Sequence, residues 1–305
     1  SRLLCILVLF AVQSVSAQIR DVKYRRISRD EGLSQSTVQC ILKDNKGFMW
    51  FGTKDGLNRY DGYKFTVYRT DPSDPASIRS KFINDIYEDS RGNLWVGTSQ
   101  GLDKLDRRKE NFIHFDKGDT LMDIKDIFED SEKRLWIATR NAGLCLFNPD
   151  RGTFKSYRHD DSDPHTIASN EVNKILEYNP GIFWLATRYG LDQLDSHTGI
   201  VTHIGPDSAN PKSISGDKVR DFCKTANGNI WLSMHRSGIA FYNRKDSSFA
   251  DFRYDPTNPD GVPDQFVTCM LEGPDGRLWF GTEIRGLCIY DPKINKFFSY
   301  MPDVL

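Results

Sequence analysis

Six tryptophans punctuate the chain at Trp50, Trp95, Trp136, Trp184, Trp231 and Trp279, spaced 45, 41, 48, 47 and 48 residues apart. A recurring period in the forties marks a repeat architecture, in which each unit buries its apolar face only against its neighbours. The surrounding text keeps register with the tryptophan. It reads DNKGFMWFGTKDGLNRYD from Asp44, EDSRGNLWVGTSQGLDKLD from Glu88 and EDSEKRLWIATRNAGLCLFN from Glu129. The later copies read YNPGIFWLATRYGLDQLD from Tyr178, TANGNIWLSMHRSGIAFYN from Thr225 and EGPDGRLWFGTEIRGLCIYD from Glu272.

Each unit divides into four short stretches of alternating polarity. In the second copy they run over residues 83–87, 94–98, 101–105 and 112–115, with Asp89 and Gly92 in the first turn. Alternation at period two between turn residues predicts strands, and no segment keeps a long 3.6-residue apolar period. Four-stranded units of this length are the blades of a β-propeller. The expectation is an all-β propeller with six complete blades. The tryptophans fill the space between blades, and each indole N–H needs a partner there.

Residues 23–28, KYRRIS, have the pattern of a fourth strand, yet the sixth unit already owns one at residues 297–300. A propeller closes its ring by completing its last blade from both termini, which removes exposed sheet edges. The spare strand therefore predicts an incomplete seven-bladed propeller, a fragment of a longer protein. The alternative is a closed ring of six with the N-terminal strand packed elsewhere.

The N-terminal residues 1–17 read as a signal peptide. Arg2 precedes the apolar run from Leu3 to Val12, and Val15-Ser16-Ala17 supplies small residues for cleavage before Gln18. The run is too short to span a bilayer. Residues 18–305 are then the exported propeller domain. The remaining cysteines, Cys40, Cys145, Cys223, Cys269 and Cys288, are odd in number and sit in predicted strands. They read as small buried core residues and not as a disulfide framework. No Cys/His spacing suits a metal, so neither metal nor cofactor is expected. With 41 basic and 42 acidic residues the chain lacks the basic excess of a nucleic-acid binder.

The pattern carried by Asp89, Gly92, Trp95, Gly97, Thr98, Gly101, Leu102 and Asp106 resembles the two-component regulator propeller repeat. The segment from Gly32, GLSQSTVQCILKDNKGFMWFGTKDGLNRYDGYKFTVY, resembles the usual opening of such sensors. The likeness extends over residues 23–300. Ala138 and Ala186 depart from it at the second glycine, Asn179-Pro180-Gly181 in a turn, and Ser233-Met234 at Gly-Thr. The resemblance implies the periplasmic, ligand-sensing part of a hybrid two-component histidine kinase in the inner membrane. It further implies an oligosaccharide ligand, a homodimeric receptor, and a phosphorelay run by kinase regions outside this chain, so that no catalytic residue is expected here.

Candidate ligand residues fall in the hairpins between second and third strands. Arg140, Arg188, Arg236 and Arg285 occupy near-equivalent places there, with Tyr189 and His235 beside them. Guanidinium groups pair bidentately with carboxylate or sulfate, and Tyr189 offers a face to a sugar ring. The expectation is a basic rim for an acidic glycan or for another part of the receptor. The alternative is a set of separate solvated arginines paired with local acids. The Asp-rich loops from Asp71, Asp160, Asp207 and Asp255 read as turns, since their spacing matches no calcium loop. Two other functions compete with sensing: a propeller enzyme, either a glycan lyase or a sialidase-like hydrolase, and a protein-docking scaffold.

Overall fold

The computed structural model describes residues 27–300 apart from 117, 119, 120, 211, 215–217, 259 and 260. The signal-peptide segment and residues 23–26 of the spare strand lie outside the described residues. Blade one holds β1 (Val38–Lys43), β2 (Met49–Thr53), β3 (Gly56–Tyr60) and β4 (Phe65–Tyr68). Blade two holds β5 (Ile83–Glu88), β6 (Leu94–Thr98), β7 (Gly101–Asp106) and β8 (Asn111–Phe115). Blade three holds β9 (Ile124–Glu129), β10 (Leu135–Thr139), β11 (Leu144–Asn148) and β12 (Thr153–Tyr157). Blade four holds β13 (Val172–Asn179), β14 (Ile182–Thr187), β15 (Gly190–Asp195) and β16 (Val201–Ile204). Blade five holds β17 (Val219–Lys224), β18 (Ile230–Met234), β19 (Gly238–Asn243) and β20 (Ser248–Phe252). Blade six holds β21 (Val267–Glu272), β22 (Leu278–Thr282), β23 (Leu287–Asp291) and β24 (Lys296–Tyr300).

Every blade is a four-stranded antiparallel meander in sequence order, as the repeat text predicts. The first strands pack on one another in succession, β1 on β5, β5 on β9, β9 on β13, β13 on β17 and β17 on β21, so they line the axis. Five apolar cores lie between consecutive blades, each built on the tryptophan of one blade and the first strand of the next. A buried aromatic removes about 150–250 Å² from water, worth roughly 4–6 kcal/mol.

The repeat motif explains itself in the first turn. Asp89 Oδ1 accepts the backbone N–H groups of Arg91 and Asn93 at 3.0 and 2.9 Å, and its Oδ2 accepts the Trp95 indole N–H at 2.8 Å. Gly92 sits at φ 79°, a left-handed conformation that favours glycine. Asp44 and Asp130 repeat the arrangement, holding Trp50 and Trp136 at 2.9 and 2.8 Å. Blade four, without this aspartate, uses Gln193 for Trp184 at 3.2 Å.

Side-chain ladders tie the blades together at both ends of the first strands. Glu88, Glu129, Glu177 and Glu272 accept N–H groups from the turn of the preceding blade at Asn45, Ser90, Ser131 and Ala226. At the remaining junction Lys224 Nζ reaches back to the carbonyls of Glu177 and Tyr178. Nearer the middle of the ring, Asp85, Asp126 and Asp221 accept the N–H groups of Ile127, Ile175 and Met270 in the following blade at 2.8–2.9 Å.

Among the described residues the ring has one open seam: no packing comparable to the other five junctions joins β21 to β1. The seam also corrects the expectation that every cysteine is buried. Cys145, Cys223 and Cys288 are, but Cys40 on β1 is half-buried and Cys269 on β21 is exposed. Both occupy first strands of the two edge blades, which border the seam among the described residues.

Candidate functional site: the axial mouth

Each first strand carries a bulge after its first residue, between Val38 and Cys40, Ile83 and Asp85, Ile124 and Asp126, Val172 and Lys174, Val219 and Asp221, and Val267 and Cys269. A bulge leaves its extra residue outside the ladder and re-aims that side chain. The residues so placed are Gln39, Asn84, Lys125, Asn173, Arg220 and Thr268. All six are polar and encircle one end of the axis.

The hairpins between second and third strands meet the same end. Ser99, Arg140, Arg188, His235 and Glu283 donate their backbone N–H to the carbonyls of Phe82, Asp123, Glu171, Lys218 and Phe266, each the residue that precedes a first strand. The mouth is thus built from two tiers, the bulge residues inside and the hairpin residues behind them.

This register sorts the candidate residues. Arg140, Arg188 and His235 hold one equivalent position. Arg236 is one residue further on, level with Tyr189, and Arg285 lies in a longer hairpin and donates its N–H to Asp264 and Thr282. The expected single arginine rim therefore separates into two groups. Arg236 borders a depression of about 200 Å³ with Arg253, Tyr254 and Gln265. Arg285 borders one of about 220 Å³ with Tyr254, Asp255 and Asn258. Both depressions adjoin the loop between blades five and six.

At the mouth itself the charges are partly matched. Arg140 lies 3.5 Å from Asp123, and Arg188 lies 3.9 Å from Glu171 and 5.6 Å from the Tyr189 ring centre. Asn84 donates to Asp123 at 2.8 Å, and Arg220 donates to Glu283 at 2.6 Å. Among the buried polar atoms of the described residues that lack a hydrogen-bond partner are Asn173 Nδ2 in blade four and His235 Nδ1 and Ser233 Oγ in blade five. Burial holds the His235 imidazole below its usual pKa, and Arg220, Lys218 and Arg236 push it the same way. Burial also lowers the Lys125 ammonium, against the pull of Asp123. Tyr189 is 65% exposed beside this cluster. Blades four and five thus offer a neutral imidazole, an uncommitted amide donor, two guanidinium groups and an open aromatic face.

Sequence reasoning found the hairpin tier and missed the inner tier. Lys125, Asn173 and Arg220 sit one residue into strands whose alternation hides a bulge, and only the register reveals it.

The loop aspartates act as turn caps. Asp71 and Asp160 Oδ1 accept the N–H of Ser73 and Ser162, Asp207 that of Ala209 and Asp255 that of Thr257. Two longer clamps fix these loops to their blades. Asp103 accepts from His114 Nδ1 at 2.6 Å, while His114 Nε2 meets the Pro75 carbonyl at 2.9 Å. Asp192, His203 and Pro164 repeat the clamp in blade four at 2.7 and 3.2 Å.

Comparison with known proteins converges on one group. The profile of the two component regulator propeller family matches residues 32–55, 77–100, 120–141 and 261–283, in blades one, two, three and six. A histidine kinase from Formosa agariphila is 42% identical over 73 residues, which is 24% of this chain and 5% of that protein. The extracellular domain of a hybrid two component system from B. thetaiotaomicron superposes with a TM-score of 0.75 at 25% identity, over 92% of this chain and 37% of that one. The chain thus spans well under half the length of either relative. Virginiamycin B lyase from Staphylococcus aureus shares the fold, with a TM-score of 0.63 at 14% identity over 89% of this chain and 88% of the lyase. Among the described residues no helix is long and apolar enough to cross a membrane.

Proposed function

The chain belongs to the two-component regulator propellers, and from that premise we propose that it is the periplasmic, ligand-sensing part of a hybrid histidine kinase held in the inner membrane. Its ligand is an oligosaccharide bearing carboxylate or sulfate, taken at the axial mouth over blades four and five. Kinase regions elsewhere in the receptor, a homodimer, carry the signal onward by phosphorelay.

The observation that carries this reading is the unpaired Asn173 Nδ2 and His235 Nδ1 beside Arg188, Arg220 and Tyr189. A donor left without an acceptor in a half-buried site costs about 1–3 kcal/mol, which a ligand oxygen recovers on binding. Blades four and five are also the two that the family profile leaves unmatched.

Calorimetric titration with matched neutral and acidic oligosaccharides tests the proposal. Binding of an acidic member, weakened at least tenfold by Arg220→Ala or Asn173→Ala and little by Arg285→Ala, is the expected result. Affinity indifferent to Arg220 and Asn173 overturns it. Cleavage of the oligosaccharide during the titration points instead to a propeller lyase or hydrolase, and absence of all glycan binding to a docking scaffold.

A further inference from the structure

We propose that the groove between the loop entering blade six and that blade's outer strand, β24, is a second binding site, for a neutral sugar ring. It uses none of the mouth residues Asn173, Arg188 and Arg220, and it stands or falls independently of the mouth.

The loops entering blades two, four and five share one pattern, DPSDPASI from Asp71, DDSDPHTI from Asp160 and DSANPKSI from Asp207. In each, the N–H of the first aspartate donates to the hydroxyl of Ser77, Thr166 or Ser213 at 2.9–3.0 Å. That hydroxyl reaches back to the same aspartate's carbonyl, which closes the loop on itself. The next residue, Ile78, Ile167 or Ile214, is a buried plug. The loop entering blade six reads DPTNPDGV from Asp255. Val262 keeps the plug, but Gly261 stands where the hydroxyl should be.

Two further ties are lost in the same blade. In blades two and four, Asp103 and Asp192 accept the N–H of Arg79 and Ala168, the residues after the plug, at 2.9 and 2.8 Å. They also hold His114 and His203, whose other ring nitrogens meet the Pro75 and Pro164 carbonyls. Strand register gives Cys288 and Ser299 as the counterparts in blade six, and Pro263 follows the plug there without an N–H to donate. Blade five also lacks the imidazole, with Ala240 and Asp251 in register, but keeps its Ser213 hydroxyl.

A depression of about 220 Å³ occupies the place that the clamp leaves. Ser299, at the position of the missing imidazole, lines it with Tyr254, Asp255, Gly261, Val262 and Arg285. The groups are held in place by the chain around them. A parallel bridge pairs Tyr254 with Val262. Buried Asp264 accepts the N–H groups of Phe266, Ile284 and Arg285, which fixes the hairpin that carries Arg285. The Arg285 guanidinium makes no ion pair among the described residues. Asp255 Oδ1 accepts the hydroxyl and the N–H of Thr257, and these bonds hold its carboxyl below the usual pKa, so it stays an acceptor.

The chemistry selects a neutral polyol. One guanidinium and one carboxylate balance in charge, so neither an anion nor a cation is favoured, in contrast to the mouth. A multiple donor, an acceptor and a hydroxyl that serves as both suit adjacent hydroxyls of a ligand, and Tyr254 offers an apolar face to its ring. The volume lies below the roughly 300–1,000 Å³ of a site for a drug-sized molecule, which limits the occupant to a single ring.

Amide chemical shifts of the isotope-labelled 305-residue chain, titrated separately with the methyl glycosides of glucose, galactose, mannose and xylose, test the proposal. At least one of the four should shift the amides of Tyr254, Asp255, Gly261 and Arg285, and glucuronate should bind there more weakly than that glycoside. Arg285→Ala should weaken binding at least tenfold. Ser299→His returns an imidazole to the position of His114 and His203, and should weaken binding as much without lowering the melting temperature. Both side chains are exposed, so the blade tolerates their replacement. Arg220→Ala should leave this affinity unchanged, which separates the groove from the mouth. Absence of these shifts with all four glycosides overturns the proposal, as does an affinity indifferent to Ser299→His or a preference for glucuronate.

Discussion

Gly97 of blade two lies so close to Ile124 of blade three that a β-carbon added at Gly97 would stand 2.6 Å from Ile124 Cγ2. Gly52 has the same relation to Ile83, at 2.7 Å. Where the glycine becomes Ala138 or Ala186, the core it enters holds Val172 or Val219 in place of isoleucine. One methyl gained on the first blade is matched by one methylene lost on the next. These departures from the repeat are volume exchanges across a junction, and they leave the hairpins intact.

Gly97→Ala should therefore destabilise the protein by about 1–3 kcal/mol through overpacking. Ile124→Val alone should cost about 0.5–1.5 kcal/mol. Combined, the two changes should cost less than their sum by at least about 0.5 kcal/mol, a coupling measurable by urea unfolding of all four proteins. Strict additivity would show that the blades do not touch at this point.

The turn aspartate gives a second test. Asp89→Ala removes the acceptor of two backbone N–H groups and of the Trp95 indole. The expected loss is about 2–4 kcal/mol, because the donors stay buried. In blade five the same position is Thr225, whose hydroxyl donates to Asn227 and to the Asn229 carbonyl. Thr225→Ala should cost only about 0.5–1.5 kcal/mol. Similar losses for both would mean that the aspartate contributes no more than a hydroxyl.

The blade count and the strand pattern were legible because tryptophan, turn and strand recur at a fixed spacing that few other folds produce. Asp89 and Gly92 marked their turn correctly because both act locally, within six residues of their partners. The mouth was legible only in its outer tier. Arg188 and Tyr189 stand in a visible hairpin, but Asn173 and Arg220 owe their direction to bulges, which depend on the partner strand and leave no local mark. The four arginines looked equivalent because strand register was invisible: Glu283, not Arg285, holds the position of Arg188, and Arg285 stands two residues further along its hairpin. Exposure of Cys269 was hidden for a different reason, since burial in a repeat is decided by the neighbouring blade.

The loop clamp in blade two should respond to pH. The hydrogen bond to Asp103 raises the His114 pKa above its usual value, against a smaller opposing effect of burial. A raised pKa means that the imidazolium's contribution is complete below about pH 6.5, the unfolded value, and is lost as pH rises through the higher folded value. The melting temperature of the native protein should exceed that of His114→Gln by most near pH 5, and the gap should narrow toward pH 9. A gap independent of pH would show that the ring acts only as a spacer between Asp103 and Pro75.

A second titration, which also loses its stabilising contribution as pH rises, is built into the axis. Asp85, Asp126 and Asp221 share the ring interior with Lys174, whose Nζ lies 2.5 Å from Asp126 Oδ1. Lys174 is held charged by these acids, which outweigh its burial. Asp85 has no such close cation. Burial, with the Asp126 charge adding to it, pushes Asp85 up to about 7. Since this pKa is raised on folding, the stability attached to the neutral carboxyl is complete below about pH 4 and is lost as pH rises to 7. Asp85→Asn keeps an acceptor for Ile127 N–H and removes the charge. Relative to the native protein, the variant should gain stability as pH rises from 4 to 7. The slope should stay under about 1.4 kcal/mol per pH unit, the limit for linkage of a single proton. Urea unfolding of both proteins at pH 4.5, 6 and 7.5 gives the slope directly. A flat difference would mean that Lys174 serves Asp85 as fully as Asp126, and that the axis holds its charges paired throughout.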